Sequence, residues 1–230
     1  MRFSGLVPVG TGAQSYTSLP ICRYSFRKAS IAIMPTVSNS NALKLTTSGQ
    51  LGGGAVLQQA RDCRAMDPGR NRQIIADILE VVGAGRTPLV LTSRKEHLER
   101  LLVGLSSIEH VITLKGGMGK KQRQAAAEKL ASIPDGVPRV ILATGSYIGE
   151  GFDDSRLDTL FLTMPISWRG TLQQYVGRLH RIHDGKKVVR VYDYVDAHVP
   201  MLARMYEKRL KGSRAIGYEL EGEPENDADV

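Results

Sequence analysis

Two arginines three apart stand behind a glycine and a glutamine in QQYVGRLHRIHDGK, residues 173–186. Gln174, Arg178 and Arg181 fall at i, i+4 and i+7, so on a helix they line one face side by side. A guanidinium is a planar fork of donors that fits anionic oxygens. Gly177 lets another group come close to that face. The same spacing also fits a basic face turned to water or paired with acids.

Two more stretches could hold phosphates. In ILATGSYIGEGFDD, 141–154, an apolar strand runs into Thr144, a glycine-rich turn, Gly151 and Asp153. Ligands of open α/β sheets collect beyond the carboxyl ends of the strands. A hydroxyl and free backbone N–H groups there can hold phosphate oxygens, and an aspartate can take a ribose hydroxyl. The plainer reading is a strand and turn with a capping Asp. In LKGGMGKKQR, 114–123, Gly116 and its neighbours end a strand, and Lys120, Lys121 and Arg123 open a helix. Glycines beside bases at a helix start suit a nucleic-acid backbone. The plainer reading is a turn with solvated lysines. The stretch is not a P-loop, because G-x-x-x-x-G-K needs a glycine where Leu114 stands.

These residues need elements to position them. NRQIIADILEVVGAG puts Ile74, Ile75, Ile78, Leu79 and Val82 at one-face spacing and ends in glycines, which predicts a helix. Further helices are expected over 95–105, 120–133, 171–182 and 199–212. Short apolar runs at 88–92, 110–114, 139–144, 158–164 and 188–196 read as strands. Thr171 and Gln174 have capping-box spacing, with Leu172, Val176, Leu179 and Ile182 as the buried stripe. Helices alternating with apolar strands predict an α/β domain, a mostly parallel sheet covered by helices on both faces.

The flanks read differently. Residues 1–61 hold six Lys/Arg and no Asp/Glu, and residues 219–230 hold six acids and no base. The first is a basic, Ser- and Gly-rich stretch without sustained period, read as loop or disorder. Its makeup also fits a transit peptide, or a segment that is not a selected coding sequence. The second reads as a solvating acidic tail. The domain between them, 62–218, carries 25 bases against 17 acids, compatible with a polyanion partner. Cys22 and Cys63 form no framework or zinc pattern, so free thiols in a reducing, cytoplasmic setting are expected. No apolar run approaches the ~18–20 residues that cross a bilayer.

Taken in order, PLVLTSRKEHLERL, LKGGMGKKQR, ILATGSYIGEGFD and QQYVGRLHR resemble the second RecA-like domain of superfamily 2 (DEAD/DEAH-type) helicases, over roughly 70–214. Q-x-x-G-R-x-x-R is met by Gln174, Gly177, Arg178 and Arg181, and the A-T…G-x-D pattern, here with six residues between its halves, by Ala143, Thr144, Gly151 and Asp153. VVRVYDYVD also fits the pattern, which looks most like the modules of restriction and phage-defence proteins. The resemblance implies that Arg178 and Arg181 are arginine fingers on a γ-phosphate held by a partner domain. Such fingers are worth ~10³–10⁵ in rate. It further implies that Gln174 orders that site and that Gly151 and Asp153 touch the nucleotide. Thr144, Gly116 and Ser93 would touch a nucleic-acid strand, with Arg94, Lys120 and Arg123 in support. Single-stranded DNA is favoured over RNA as that strand.

Such a motor also needs a P-loop domain with ATP and Mg2+. VPVGTGAQS, 7–15, has Ala13 and Gln14 where Lys and Ser/Thr belong, and no acidic DExx pair follows. The expectation is therefore a C-terminal half that works with a P-loop domain in another chain, or one lost by truncation. By itself it should not turn over ATP. The alternative is a non-catalytic nucleic-acid-binding module on the same fold. A Rossmann-type enzyme lacks its G-x-G-x-x-G. His180 and His183 lack a third metal ligand, so no metal site is assigned. Trp168 reads as packing at a helix start or as a base-stacking surface.

Overall fold

The computed structural model describes residues 21–28, 53–144, 154–165, 171–183, 186–196 and 199–220. In chain order the elements are β1 (Ile21–Lys28), α1 (Gly53–Met66), α2 (Pro68–Gly83), β2 (Pro88–Thr92), α3 (Lys95–Gly104), β3 (His110–Leu114), α4 (Lys120–Ser132) and β4 (Arg139–Thr144). There follow β5 (Thr159–Leu162), α5 (Thr171–Leu179), β6 (Val188–Val195), α6 (Pro200–Ala215) and β7 (Glu219–Leu220). The strands form one sheet in the order β3-β4-β2-β5-β6-β1-β7, and every described pairing is parallel.

Every residue of β2, β4 and β5 is buried, as near-continuous aliphatic strands require when both faces are covered. Successive side chains point to opposite faces. Leu89, Leu91, Ile141, Ala143, Leu160 and Leu162 pack with Leu130 of α4, with Val176 and Leu179 of α5, and against Tyr206 and Leu210 of α6. Val90, Val140, Leu142, Phe161 and Tyr192 pack on the other side with Ile74 and Ile78 of α2 and Leu98 and Leu101 of α3. Phe161 and Tyr192 stack at 4.6 Å between centroids.

Charged groups fasten the helices. Asp67 caps α2, its Oδ1 accepting from Gly69 N at 2.9 Å and Arg70 N at 3.1 Å, with Pro68 at the first helical position. Arg209 of α6 grips Asp193 of β6 through Nε at 2.7 Å and Nη2 at 2.9 Å, both side chains buried. Buried Arg70 donates to Asp196 Oδ1 and to the carbonyls of Thr163 and Tyr194.

Four expectations change. The stretch 1–61, read as irregular, contains β1 and most of α1. In β1, Cys22, Tyr24 and Phe26 alternate with Arg23, Ser25 and Arg27, a period of two hidden by the low-pattern sequence on either side. Glu219 and Leu220, assigned to the acidic tail, pair with Arg23 and Tyr24. Finally α5 ends at Leu179, not 182. Val176 and Leu179 are buried as expected, but Ile182 is 69% exposed because it lies beyond the helix that would have turned it inward. On α2 the buried stripe is Ile74, Ile78, Val81 and Val82, while Leu79 is exposed.

Candidate nucleic-acid and nucleotide interface

The expected strand-contacting residues meet at the carboxyl edge of three adjacent strands. Thr92 ends β2 and pairs with Thr144 at the end of β4. Leu114 ends β3 opposite Ala143. Thr144 Oγ1 accepts the N–H of Gly116 at 2.7 Å. That bond fixes the Lys115–Gly119 turn on the end of β4 and leaves the Thr144 hydroxyl hydrogen available to an acceptor. Gly117 sits at φ +87°, a conformation that favours glycine. Ser93 is exposed directly after Thr92. Lys120 and Lys121 are exposed at the start of α4, and Arg123 is half-buried beside them. Gln122 Oε1 accepts from Gly119 N at 3.2 Å and closes the helix start.

A buried relay holds the turn that follows β2. Thr92 Oγ1 and His97 Nδ1 lie 2.8 Å apart, and His97 Nε2 lies 3.0 Å from Asn71 Oδ1. Asn71 Nδ2 donates to Ala65 O, and Arg94 N donates to Thr92 Oγ1. Asn71 Oδ1 only accepts, so His97 Nε2 carries the proton and Nδ1 accepts from the Thr92 hydroxyl. Burial, with help from the charges of Arg70 and Arg100, pushes the His97 pKa down to about 4. The ring is neutral, and each donor along the relay meets an acceptor.

The finger candidates lie on and just after α5. Gln174 is exposed, Arg178 is half-buried and Arg181 is exposed. Gln174 and Arg178 share a helical face. Arg181 follows the helix end, in a turn closed by its N–H on Arg178 O at 3.3 Å. The Arg178 side chain has no hydrogen bond or ion pair among the described residues, and its Nη1 is shielded from solvent. Burial lowers its pKa, opposed by the neighbouring Tyr175. The Tyr175 hydroxyl is itself pushed up to about 12 by burial, with Arg178 pulling the other way. A guanidinium stays protonated throughout the ordinary range, so Arg178 is a shielded cation on a rigid helix. Gly177 is exposed, and a Cβ there would meet nothing within 4 Å.

Lys186 ties down the far end of α5. Its Nζ donates to Leu179 O at 3.0 Å, Arg181 O at 2.8 Å and Ser155 O at 2.6 Å. It satisfies carbonyls left over at the end of the helix and joins them to the segment entering β5. Gly151 and Asp153 lie outside the described residues, as do Trp168 and the Thr171 side chain.

Comparison with known proteins decides the family. The helicase conserved C-terminal domain family matches residues 71–183, and an uncharacterized protein 108L of Invertebrate iridescent virus 3 is 31% identical over 103 residues, which span 45% of this chain and 92% of that protein. The chain belongs to the helicase C-terminal domain family. The fold agrees. The crystal structure of T4 UvsW superposes with a TM-score of 0.58 at 15% identity, covering 87% of this chain and 41% of that one. The C-terminal part of the Fun30 ATPase domain gives 0.52 at 15% identity over 63% of this chain and 46% of that one. This chain therefore spans less than half of either structural relative. The family match to this helicase domain opens inside α2 and closes four residues after α5. It therefore contains the Thr92, Gly116 and Thr144 edge together with Arg178 and Arg181.

Neither Q-x-x-G-R-x-x-R nor the A-T…G-x-D pattern includes the residues that hold the site rather than face a ligand. His97, Asn71 and Lys186 are such residues. The one available signal was a lone histidine at a core-facing position beside Leu98 and Leu101. Among the described residues there is no group of three or more possible metal ligands. His180 Nε2 instead meets Tyr218 Oη at 2.9 Å.

Proposed function

We propose that this chain is the C-terminal motor half of an ATP-dependent helicase or translocase. It presents Arg178 and Arg181 to ATP and Mg2+ held by a separate P-loop domain. The carboxyl edge of β2, β3 and β4 receives a single-stranded nucleic-acid backbone, with DNA favoured. The observation that carries the reading is Arg178. Arg70, Arg86, Arg139, Arg156 and Arg209 each donate to carbonyls or carboxylates of their own fold. Among the described residues Arg178 does not. A half-buried cation of this kind is suited to an anion brought by another molecule. Ser93, Gly116 and Thr144, with Arg94, Lys120 and Arg123 nearby, supply hydroxyl, N–H and cationic groups of the kind that bind phosphates without reading bases. Gln174 orders the finger site, and Gly151 and Asp153 are assigned to the nucleotide.

The test is ATP turnover by the pure chain, with and without a P-loop RecA-like domain supplied in trans. The expected result is buffer-level turnover alone, DNA-stimulated turnover with the added domain, and loss of ~10³-fold or more in Arg178→Ala. Robust turnover by the pure chain, abolished in Arg178→Ala, would refute the half-motor reading. Salt-sensitive binding of single-stranded DNA that no P-loop domain converts into turnover would favour a non-catalytic binding module.

A further inference from the structure

Helix α1 lies across the same carboxyl edge. Arg61 donates through Nε and Nη2 to Pro165 O, beyond β5, at 3.2 and 3.1 Å. Arg64 Nε meets Asp196, beyond β6, at 3.1 Å. Asn71 holds Ala65 O, and Ala65 is buried. The fourth contact falls on a residue assigned above to nucleic acid: Arg94 Nη2 lies 2.6 Å from Asp62 Oδ1. The two partners differ. The Asp62 side chain is 57% exposed and the Arg94 side chain 23%. Arg94 Nε and Nη2 are shielded from solvent yet make no directed hydrogen bond. Arg61 stands close enough that the Arg94 charge, after burial, lowers its pKa. Two guanidiniums thus share this corner, and one exposed carboxylate, Asp62, pairs with one of them, Arg94.

We infer that Asp62 occupies on Arg94 the place of a backbone phosphate, so that α1 competes with a nucleic-acid strand for this arm of the binding edge. This rests on the nucleic-acid reading of the edge given above. The charge logic is direct. A guanidinium held by a badly aligned carboxylate gains by exchanging it for phosphate oxygens that meet its fork. The outgoing carboxylate returns to water at little loss because it is already mostly solvated. The exchange needs only the Asp62 side chain to turn away, since Arg61, Arg64 and Ala65 keep α1 attached.

The experiment is fluorescence anisotropy of labelled dT20 with the full chain at low and moderate salt. It compares wild type, Asp62→Asn, Arg94→Ala and the double variant. Asp62→Asn should tighten binding about two- to fivefold, the range open to an exposed ion pair. Arg94→Ala should weaken it. In the Arg94→Ala background Asp62→Asn should have no effect, because the carboxylate acts through that one guanidinium. Unchanged or weaker binding in Asp62→Asn overturns the inference. So does equal tightening with and without Arg94, which would mean a general charge effect. If none of the four proteins binds dT20 even at low salt, the nucleic-acid reading of the edge falls, and the inference falls with it.

Discussion

Acidification from pH 7 to pH 5 should weaken this fold through one ring. His97 is fully buried, and its pKa stands at about 4 against an ordinary 6.5. Because the folded value is the depressed one, the stabilisation is fully present above about pH 6.5 and is lost as pH falls toward 4. Between those values the unfolded chain binds the proton and the folded chain does not. Each pH unit between the two values corresponds to about 1.4 kcal/mol, so the whole span is worth about 3 kcal/mol, of which about 2 kcal/mol is lost by pH 5. The relay explains why the folded ring resists the proton. A charged imidazole would have to donate from Nδ1, the Thr92 hydroxyl would have to find a new acceptor, and a cation would be buried near Arg70 and Arg100. The assay is urea unfolding of wild type and His97→Gln from pH 7 to pH 5, where Asp and Glu remain mostly ionised. The variant should start less stable, by about 1–3 kcal/mol for the broken relay. Its stability should then change far less with pH. A small residual slope of the same sign is expected from His180, whose pKa burial also lowers. Equal losses in both proteins, or an NMR titration midpoint for the His97 ring above pH 6, would refute the reasoning.

Other variants test other joints. Arg209→Met takes two charge-assisted hydrogen bonds from the buried Asp193 carboxylate and should lower stability by about 3–5 kcal/mol in the same unfolding assay. Asp193→Leu combined with it should recover most of that loss, since removing both charges removes the uncompensated one. Asp67→Ala takes away both side-chain bonds at the start of α2 and should lower stability by about 1 kcal/mol in thermal or urea unfolding. Lys186→Met leaves the carbonyls of Leu179, Arg181 and Ser155 to water. Amides in the last turn of α5 should exchange faster with deuterium, while those of β2 and β4 keep their protection.

The middle of the fold was readable because its signals are long and repeated. PLVLT and RVILAT are largely aliphatic runs, and they are neighbouring interior strands buried along their whole length. The glycine turn at 115–119 and the Thr144 end of β4 were legible from residue type and do meet, through the Gly116–Thr144 bond. β1 was not legible, because ICRYSFRK breaks its apolar residues with Arg23, Ser25 and Arg27 and owes its strand state to β6 and β7 beside it. Ile182 misled, because periodicity says where a stripe points and not where Lys186 gathers the last carbonyls. The His97 relay needs three segments brought together, and no spacing rule announces that. Neither does Asp62 on Arg94, which joins a helix to a strand end across the sheet edge.

The place of β1 has a consequence for how the protein is made. Residues 21–28 leave the ribosome early, yet their pairing partners on β6 are residues 188–195. At ~5–20 residues per second, roughly ten to thirty seconds separate the two. During that time β1 has no strand to join, and once made, β6 is an unprotected edge until β1 arrives. Assembly must end by drawing an early segment in between two late ones, β6 and β7, which is the slow, long-range kind of closure. The nascent chain should therefore be most prone to aggregate, or to need a chaperone, in the interval before β1 docks.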